Sequence, residues 1–282
     1  MKGHHLKLEG GLRKKGISRT ESFEKPLVSI ITIVYNGEKY LEQAIRSVLD
    51  QSYDNLEYII IDGKSTDGSI DIIQKFEDRI GWISEPDQGI ADAMNKGVTR
   101  ARGEIVAHLH SDDFYPDDSV ISTVVHEFAS QHNANWLTGG MYMVNTEGEK
   151  TAEIRVRKYS YGRLKKANII LHPATFVKRQ AFEKAGAFDL SYHYAMDYDL
   201  WLRLGSIGDP TILDMPLACF RAHANSLSMK NIGAAIDEEW TIRNKSLAGH
   251  PIKRFNGFIR YKTNKFMNTK FVKNLLRGEM ID

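Results

Sequence analysis

Between residues 27 and 130 the chain repeats one rhythm: a β-rich apolar run, a polar break, then apolar residues at helical spacing. The run 27–34 (LVSIITIV) has the continuous pattern of a strand covered on both faces. Leu41, Ala44, Ile45, Val48 and Leu49 then form a helical stripe within 37–51. The unit recurs as 56–61 with 69–77, 80–84 with 88–102, and 104–109 with 117–130. Successive parallel strands need a crossover long enough to be a helix, so four such alternations predict an α/β fold: a mostly parallel sheet with helices on both faces. Weaker signals follow. They predict strands at 136–144 and 153–158, a helix at 178–185 closed by Gly186, and a helix at 198–206. The organisation read from this is an extended N-terminal arm (1–25), two halves of one domain (26–130 and 131–230), and a basic helical extension (231–282).

Composition narrows the function classes. A 282-residue chain with 42% hydrophobic and 26% charged residues buries a sizeable core. No apolar run reaches 18 residues, and the greasy stretch 27–35 is interrupted by Ser29 and Thr32, so no spanning helix is expected. The opening MKGHHLKLEGG lacks the apolar centre of a secretion signal, which places the expected location in the cytoplasm. The single cysteine, Cys219, excludes an internal disulfide and a multi-cysteine zinc site. Charge is unevenly distributed: residues 253–282 carry a net +6, and the first 252 a net −4. In the tail, bases alternate with Phe255, Phe258, Ile259, Phe271 and Leu275, a pattern suited to an anionic membrane surface or to a helix packed on the domain. The acidic body argues against nucleic acid as a partner.

In open α/β sheets ligands bind beyond the carboxyl ends of the strands. There the chain reads YNG (35–37), DGKSTDGS (62–69), EPDQG (85–89) and HSDD (110–113). Adjacent carboxylates at Asp112 and Asp113 repel unless a cation or hydrogen bonds offset their charge. A divalent ion held by one or two carboxylates and substrate phosphates is one solution; capping of the helix near Asp117 is the other. Gly63 and Gly68 allow tight turns in which Ser65 and Thr66 face an anion or a base edge, with Asp67 or Ser69 as a helix cap. Asn36 fits an N-cap or a nucleotide contact.

Taken in order, VSIITIVYNGEKYLEQAIRSVLDQ, YIIIDGKSTDGS, EPDQGIADAMNKG and HLHSDD resemble the family 2 glycosyltransferases, which have the GT-A nucleotide-sugar-binding fold. The resemblance covers roughly residues 26–225. It implies that the first half holds a nucleoside diphosphate, UDP above others, and that the second receives the acceptor. Val34, Tyr35 and Asn36 would line the nucleoside pocket and Asp62 would hydrogen-bond the base. Lys64, Asp87, Gly89, Asp92, Asn95 and Ser111 would lie near nucleotide and donor sugar. Asp112 and Asp113 match the acidic motif for Mn²⁺ or Mg²⁺. His110 departs from the family, which often has a further Asp there; imidazole suits Mn²⁺ better than Mg²⁺. The segment SYHYAMDYDLWLRL (191–204) resembles the one that bears the family's catalytic base, which makes Asp197 the candidate and Asp199 the second choice. An N-cap is the plainer reading of Asp197. His172 and Trp201 would contact the acceptor, although Trp201 at helical spacing also fits the core. His223, two residues past Arg221, would reach the metal or the diphosphate.

The implied activity is inverting, metal-dependent transfer of a sugar to a hydroxyl of a glycan or polyprenyl-linked acceptor, in surface polysaccharide, O-antigen or capsule synthesis. Contact with the inner membrane face and homo-oligomers are compatible with it. The chemistry explains the motif: a departing nucleoside diphosphate gathers negative charge on its β-phosphate, which a cation must neutralise. A sugar-phosphate nucleotidyltransferase is the alternative enzyme, but it calls for a Gly-rich basic loop where this chain has YNGEKY. A non-catalytic saccharide-binding relative, suggested by His110, is the alternative outside catalysis.

Overall fold

The protein is represented by a computed structural model that describes residues 8–12, 25–131, 133–156, 158–223, 226, 231–246, 257–258, 261–263 and 265. The elements are β1 (Leu8–Gly11), β2 (Val28–Val34), α1 (Glu38–Leu49), β3 (Leu56–Asp62), α2 (Ser69–Gln74), β4 (Gly81–Ser84), α3 (Ile90–Arg100), β5 (Ile105–His108) and α4 (Val120–Ser130). They continue as β6 (Trp136–Val144), β7 (Lys150–Ile154), α5 (Tyr161–Leu164), a 3₁₀ turn (His172–Ala174), β8 (Thr175–Lys178), α6 (Arg179–Ala185), α7 (Met196–Ile207), β9 (Thr211–Arg221) and α8 (Ile232–Ser246).

The sheet runs β1-β4-β3-β2-β5-β8-β6-β7, with β9 also paired to β6. The block β4-β3-β2-β5 is parallel throughout. Beyond it β8 and β7 are antiparallel to their neighbours, while β9 runs parallel to β6. All seven residues of β2 are buried, as its β-rich, mostly apolar run predicted. Its even-numbered Ile30 enters one apolar layer with Leu41, Ile45, Tyr58 and Val124, and its odd-numbered Ile31 and Ile33 enter the other with Met94, Phe182 and Leu200. The two polar residues of β2 are satisfied inside the protein: Thr32 Oγ1 donates to the Leu109 carbonyl at 2.6 Å and Ser29 Oγ to Glu57 Oε2 at 2.7 Å. From β2 the chain builds outward through β3 to β4, then returns to place β5 on the other flank of β2. That reversal opens a crevice at the carboxyl ends of β2 and β5.

Several sequence expectations change. Residues 8–11, read as part of an extended arm, form an edge strand antiparallel to β4. The helix expected over 69–77 stops at Gln74 and is continued by turns, and the one expected from 117 begins at Val120. The strand expected at 153–158 lies earlier, because the turn at 145–149 returns the chain at once as β7, antiparallel to β6. α7 starts two residues before its expected position, so Asp197 lies inside the first turn and not at the cap. The amphipathic pattern at Phe255, Ile259, Phe271 and Leu275 lies outside the described residues. Among the described residues no helix is long and apolar enough to cross a membrane.

Candidate active site

The loops after β2 and β3 are fastened together. Asn36 N–H donates to Ser65 Oγ at 2.8 Å, and Asn36 Oδ1 accepts from Thr66 N–H at 2.8 Å. Asp67 accepts from Glu38 N–H at the start of α1 and from Ser69 N–H at the start of α2, so it caps both helices. Asn36 therefore does not cap α1; Gly37 occupies that position. Asn36 and Lys64 hold left-handed backbone, φ 52° and 66°, a strain borne by this interlocked pair of turns. Asp62 is fully buried: Oδ2 accepts from Ser84 Oγ at 2.6 Å and Ser65 N–H at 3.0 Å, while Oδ1 has no partner. Tyr35 stands 67% exposed, its ring beside Gly63. A Cβ at Gly63 would come within 2.5 Å of Asp87 Oδ2, so a larger residue there would displace the Asp87 carboxylate.

The loop after β5 meets the end of β9 through an isolated antiparallel bridge, Phe114 with Cys219. Two residues back from Phe114 lie opposite two residues on from Cys219, which brings Asp112 to Arg221. Arg221, 1% exposed, is the hub of this corner. Its guanidinium donates to the carbonyls of Asp112 (3.1 Å), Asn145 (3.0 Å) and Thr146 (2.9 Å) and to Gln43 Oε1, and it lies over the Tyr40 ring at 4.4 Å. Its own N–H donates to Asp113 Oδ1 at 3.1 Å. Burial, and then the Asp112 charge, push the Asp113 carboxyl well above the usual range. For Asp112, burial works upward, but the His223 hydrogen bond and the nearby His110 outweigh it and hold the carboxyl below the usual range. Asp112 Oδ2 lies 2.9 Å from His223 Nε2. The adjacent carboxylates thus differ: Asp113 turns to the Arg221 backbone and Asp112 pairs with His223. Neither caps α4; Asp117 accepts from Ser119 N–H instead.

Across the cleft, α7 presents Asp197. Burial raises its carboxyl to about 6, against the lowering effect of the Tyr198 N–H, which donates to Oδ1 at 2.6 Å. Asp197 Oδ2 is 3.9 Å from His172 Nδ1. The imidazoles of His172 and His110 have centroids 5.0 Å apart. One cavity of about 640 Å³ is lined by Val34, Tyr35, Asp87, Gly89, His110, Ser111, Asp112, Asp113, His172 and Asp197, among others. It joins residues from the ends of β2 and β5, the β4–α3 loop, the 3₁₀ turn and α7.

Other candidates are committed elsewhere. Asp92 accepts from Gln88 N–H at 3.0 Å and pairs with Lys96 at 3.1 Å, which shapes the loop carrying Asp87 and Gly89. Asn95 makes two hydrogen bonds of 2.9 Å to the backbone of Phe188 and ties the two halves together. Asp199 pairs with Arg203 at 2.8 Å, and that guanidinium also holds the Gly186 carbonyl. Trp201 is 3% exposed and stacks on Trp136 at 5.9 Å, so it is corrected from an acceptor contact to a core residue. None of these four is among the residues lining the cavity.

Two acidic residues on α8 were not foreseen. The Glu238 carboxylate accepts from the N–H groups of His193 (2.8 Å), Tyr194 (2.7 Å) and Ala195 (3.0 Å), the segment leading into α7. Burial, and then the Asp197 charge, raise its neighbour Glu239 to about 7. Removing Glu238 as Glu238→Ala leaves three N–H groups without their acceptor and is expected to destabilise the fold by about 1–3 kcal/mol. Urea denaturation checks this, and a change under about 0.5 kcal/mol, the scale of an ordinary surface substitution, contradicts it.

Comparisons with known proteins bear on the family and the fold. The pattern described as "Glycosyl transferase family 2" matches residues 29–186. The chain is 31% identical over 248 residues to a Bacillus subtilis (strain 168) protein named for teichuronic acid biosynthesis, the glycosyltransferase TuaG, covering 85% of this chain and 96% of that one. It is 28% identical over 249 residues to the chondroitin synthase of Escherichia coli, covering 86% of this chain but only 36% of that longer protein. Among solved structures, S. aureus TarS 1–349 in complex with UDP-GlcNAc superposes with a TM-score of 0.61 at 16% identity, over 85% of this chain and 75% of that one. The mannosyltransferase PcManGT from Pyrobaculum calidifontis, in complex with GDP-Man and Mn²⁺, gives 0.58 at 15% identity, over 95% and 91%. The fold of this chain is the one these transferases share.

Proposed function

The chain belongs to glycosyl transferase family 2, and from that premise we propose that it transfers a sugar from a nucleoside diphosphate, UDP above others, to a hydroxyl of a glycan or lipid-linked acceptor, with inversion and with a divalent ion. The observation that carries the reading is that one cleft is lined both by Asp112, whose carboxylate pairs with His223, and by Asp197, whose carboxyl is raised. The nucleoside side is Val34, Tyr35 and Asp87, which line the cleft; Asp62 is fully buried and not among the lining residues, and its unpartnered Oδ1 is assigned as the acceptor for a base N–H. Nucleotide-sugars in the TarS and PcManGT structures support this half of the assignment.

The residues fit an ion. Asp112 Oδ2 and His223 Nε2 stand side by side, 2.9 Å apart, a carboxylate oxygen and an imidazole nitrogen of the kinds that Mn²⁺ accepts. Among the described residues no group of three or more His, Cys, Asp or Glu side chains is arranged to hold a metal. Asp112 and His223 would therefore hold it together with diphosphate oxygens, with Asp113 behind them. When bound, the ion neutralises the charge that develops on the leaving diphosphate. Asp197 accepts the proton of the acceptor hydroxyl as its oxygen bonds to the anomeric carbon. The bond from that carbon to the β-phosphate oxygen breaks, and its electron pair leaves with the nucleoside diphosphate. The cleft walls at Met94, Pro173 and Met196 limit water, the competing acceptor. TuaG and the Escherichia coli chondroitin synthase support polysaccharide synthesis as the setting; on this reading a lipid-linked acceptor would be met at the inner membrane face.

A panel of UDP-, GDP- and dTDP-sugars with and without Mn²⁺ tests the reading by thermal shift and by product release. Stabilisation by one nucleotide class and release of its diphosphate are expected. Release of pyrophosphate from a nucleoside triphosphate and sugar phosphate would make it a nucleotidyltransferase, and saccharide binding without turnover would make it a binding protein.

A further inference from the structure

We propose that the transferred sugar is an uncharged pyranose and not a glycuronic acid, and that His110 and His172 read its hydroxyls. The inference rests on the glycosyltransferase reading and adds the class of donor.

The transferred ring must lie between the leaving diphosphate and the base. In this cleft the diphosphate end is Asp112 with His223 and the base end is Asp197. The space between them is lined by two imidazoles: His110, two residues before Asp112, and His172, 3.9 Å from Asp197, with ring centroids 5.0 Å apart. The Nε2 atoms of both are buried without a hydrogen-bond partner. Such atoms cost stability until a ligand pairs them, and a neutral imidazole nitrogen donates to or accepts from a hydroxyl equally well. Burial holds the His172 imidazole well below its usual range, so it offers a hydrogen bond and not a positive charge.

The cleft otherwise opposes an anion on the sugar. Asp87, Asp112, Asp113 and Asp197 line it, and among the described lining residues there is no Lys or Arg. The buried Arg221 directs its guanidinium to backbone carbonyls and Gln43, behind the Asp112 loop. Apart from the ion at Asp112 and His223, whose charge the diphosphate takes up, a sugar carboxylate placed between Asp112 and Asp197 would meet like charges and no Lys or Arg among the described lining residues.

The test is calorimetric titration of the full chain in Mn²⁺ with UDP, GDP and matched pairs: UDP-glucose and UDP-glucuronate, GDP-mannose and GDP-mannuronate. Within the preferred nucleotide, the neutral sugar is expected to bind at least about tenfold tighter than its uronate, the loss that one unfavourable contact of about 1.4 kcal/mol produces. The His172→Ala change is expected to remove most of the margin by which the neutral nucleotide-sugar exceeds the bare nucleotide. His172→Asn, which keeps a donor and an acceptor, is expected to restore part of it, and it serves if the alanine variant does not fold. A uronate that binds as tightly as its neutral partner, or a margin that survives both substitutions, overturns the inference while leaving the transferase reading in place. Failure of every nucleotide to bind overturns both.

Discussion

Asp197→Asn is expected to lower kcat by about 10²–10⁴-fold, the usual contribution of a general base, while UDP affinity changes by no more than a few-fold. Asparagine keeps the acceptor atom that takes the Tyr198 N–H but cannot take a proton. Steady-state kinetics and calorimetry check the two halves, and turnover within a few-fold of wild type removes the base assignment. The raised carboxyl adds two further signatures. The base works ionised, so kcat/KM rises with pH through about 6. Stability runs the other way. A carboxyl whose folded value, about 6, exceeds its ordinary 3.8 binds its proton more tightly in the folded state. Its stabilising contribution is complete below pH 4 and is lost as pH rises through 6. Ionised Asp197 therefore costs the fold about 1–2 kcal/mol at neutral pH, after discounting its partial exposure. The inactive Asp197→Asn variant is expected to be more stable than wild type at pH 8 and no more stable at pH 4. Thermal denaturation at the two values checks this.

Arg221→Met is expected to cost about 3–5 kcal/mol, as removal of one member of a buried charged network does. The side chain of Met fills much of the volume over the Tyr40 ring, so the loss is electrostatic. Three carbonyls and Gln43 Oε1 lose their donor, and Asp113 loses the guanidinium that partly offsets its burial. Because the same guanidinium holds the Asp112 carbonyl, the surviving folded fraction is expected to bind UDP with Mn²⁺ more weakly. Arg221→Lys keeps the charge but lacks the planar fork that reaches four acceptors, and is expected to recover less than half of the lost stability. Urea denaturation of the two variants decides it; a loss below about 1 kcal/mol for Arg221→Met, the worth of a single net hydrogen bond, contradicts the role of a hub.

The parallel block was legible in the sequence because β2 to β5 are covered on both faces, so apolar residues dominate them at both odd and even positions. β9 was missed: TILDMPLACFR contains Asp214 and Pro216, and its pairing with β6 shifts register beside Gly140. No two-residue period survives such breaks. β8 has four residues and runs directly into α6, so its signal merged with that helix. Within the site, position in the chain was readable and commitment was not. Asp87, Asp112 and Asp197 stand in the cleft where strand ends and the helix start put them. Asp92 and Asn95 carry the same chemistry one helical turn further on, but Lys96 and the Phe188 backbone engage them, and both contacts are set by packing. Glu238 was invisible for a related reason. It lies 43 residues from the Ala195 N–H it accepts, and a contact over that separation leaves no local pattern.

The account turns on the Asp112–His223 pair as the grip on the nucleotide's diphosphate. The direct measurement is the UDP dissociation constant with Mn²⁺ and with chelator, for wild type, Asp112→Asn and His223→Ala. The account predicts that chelation weakens wild-type binding at least about tenfold, the equivalent of 1.4 kcal/mol, and that each variant binds UDP almost equally with or without the ion. Equal UDP affinity in wild type with and without Mn²⁺, unchanged in both variants, would contradict it.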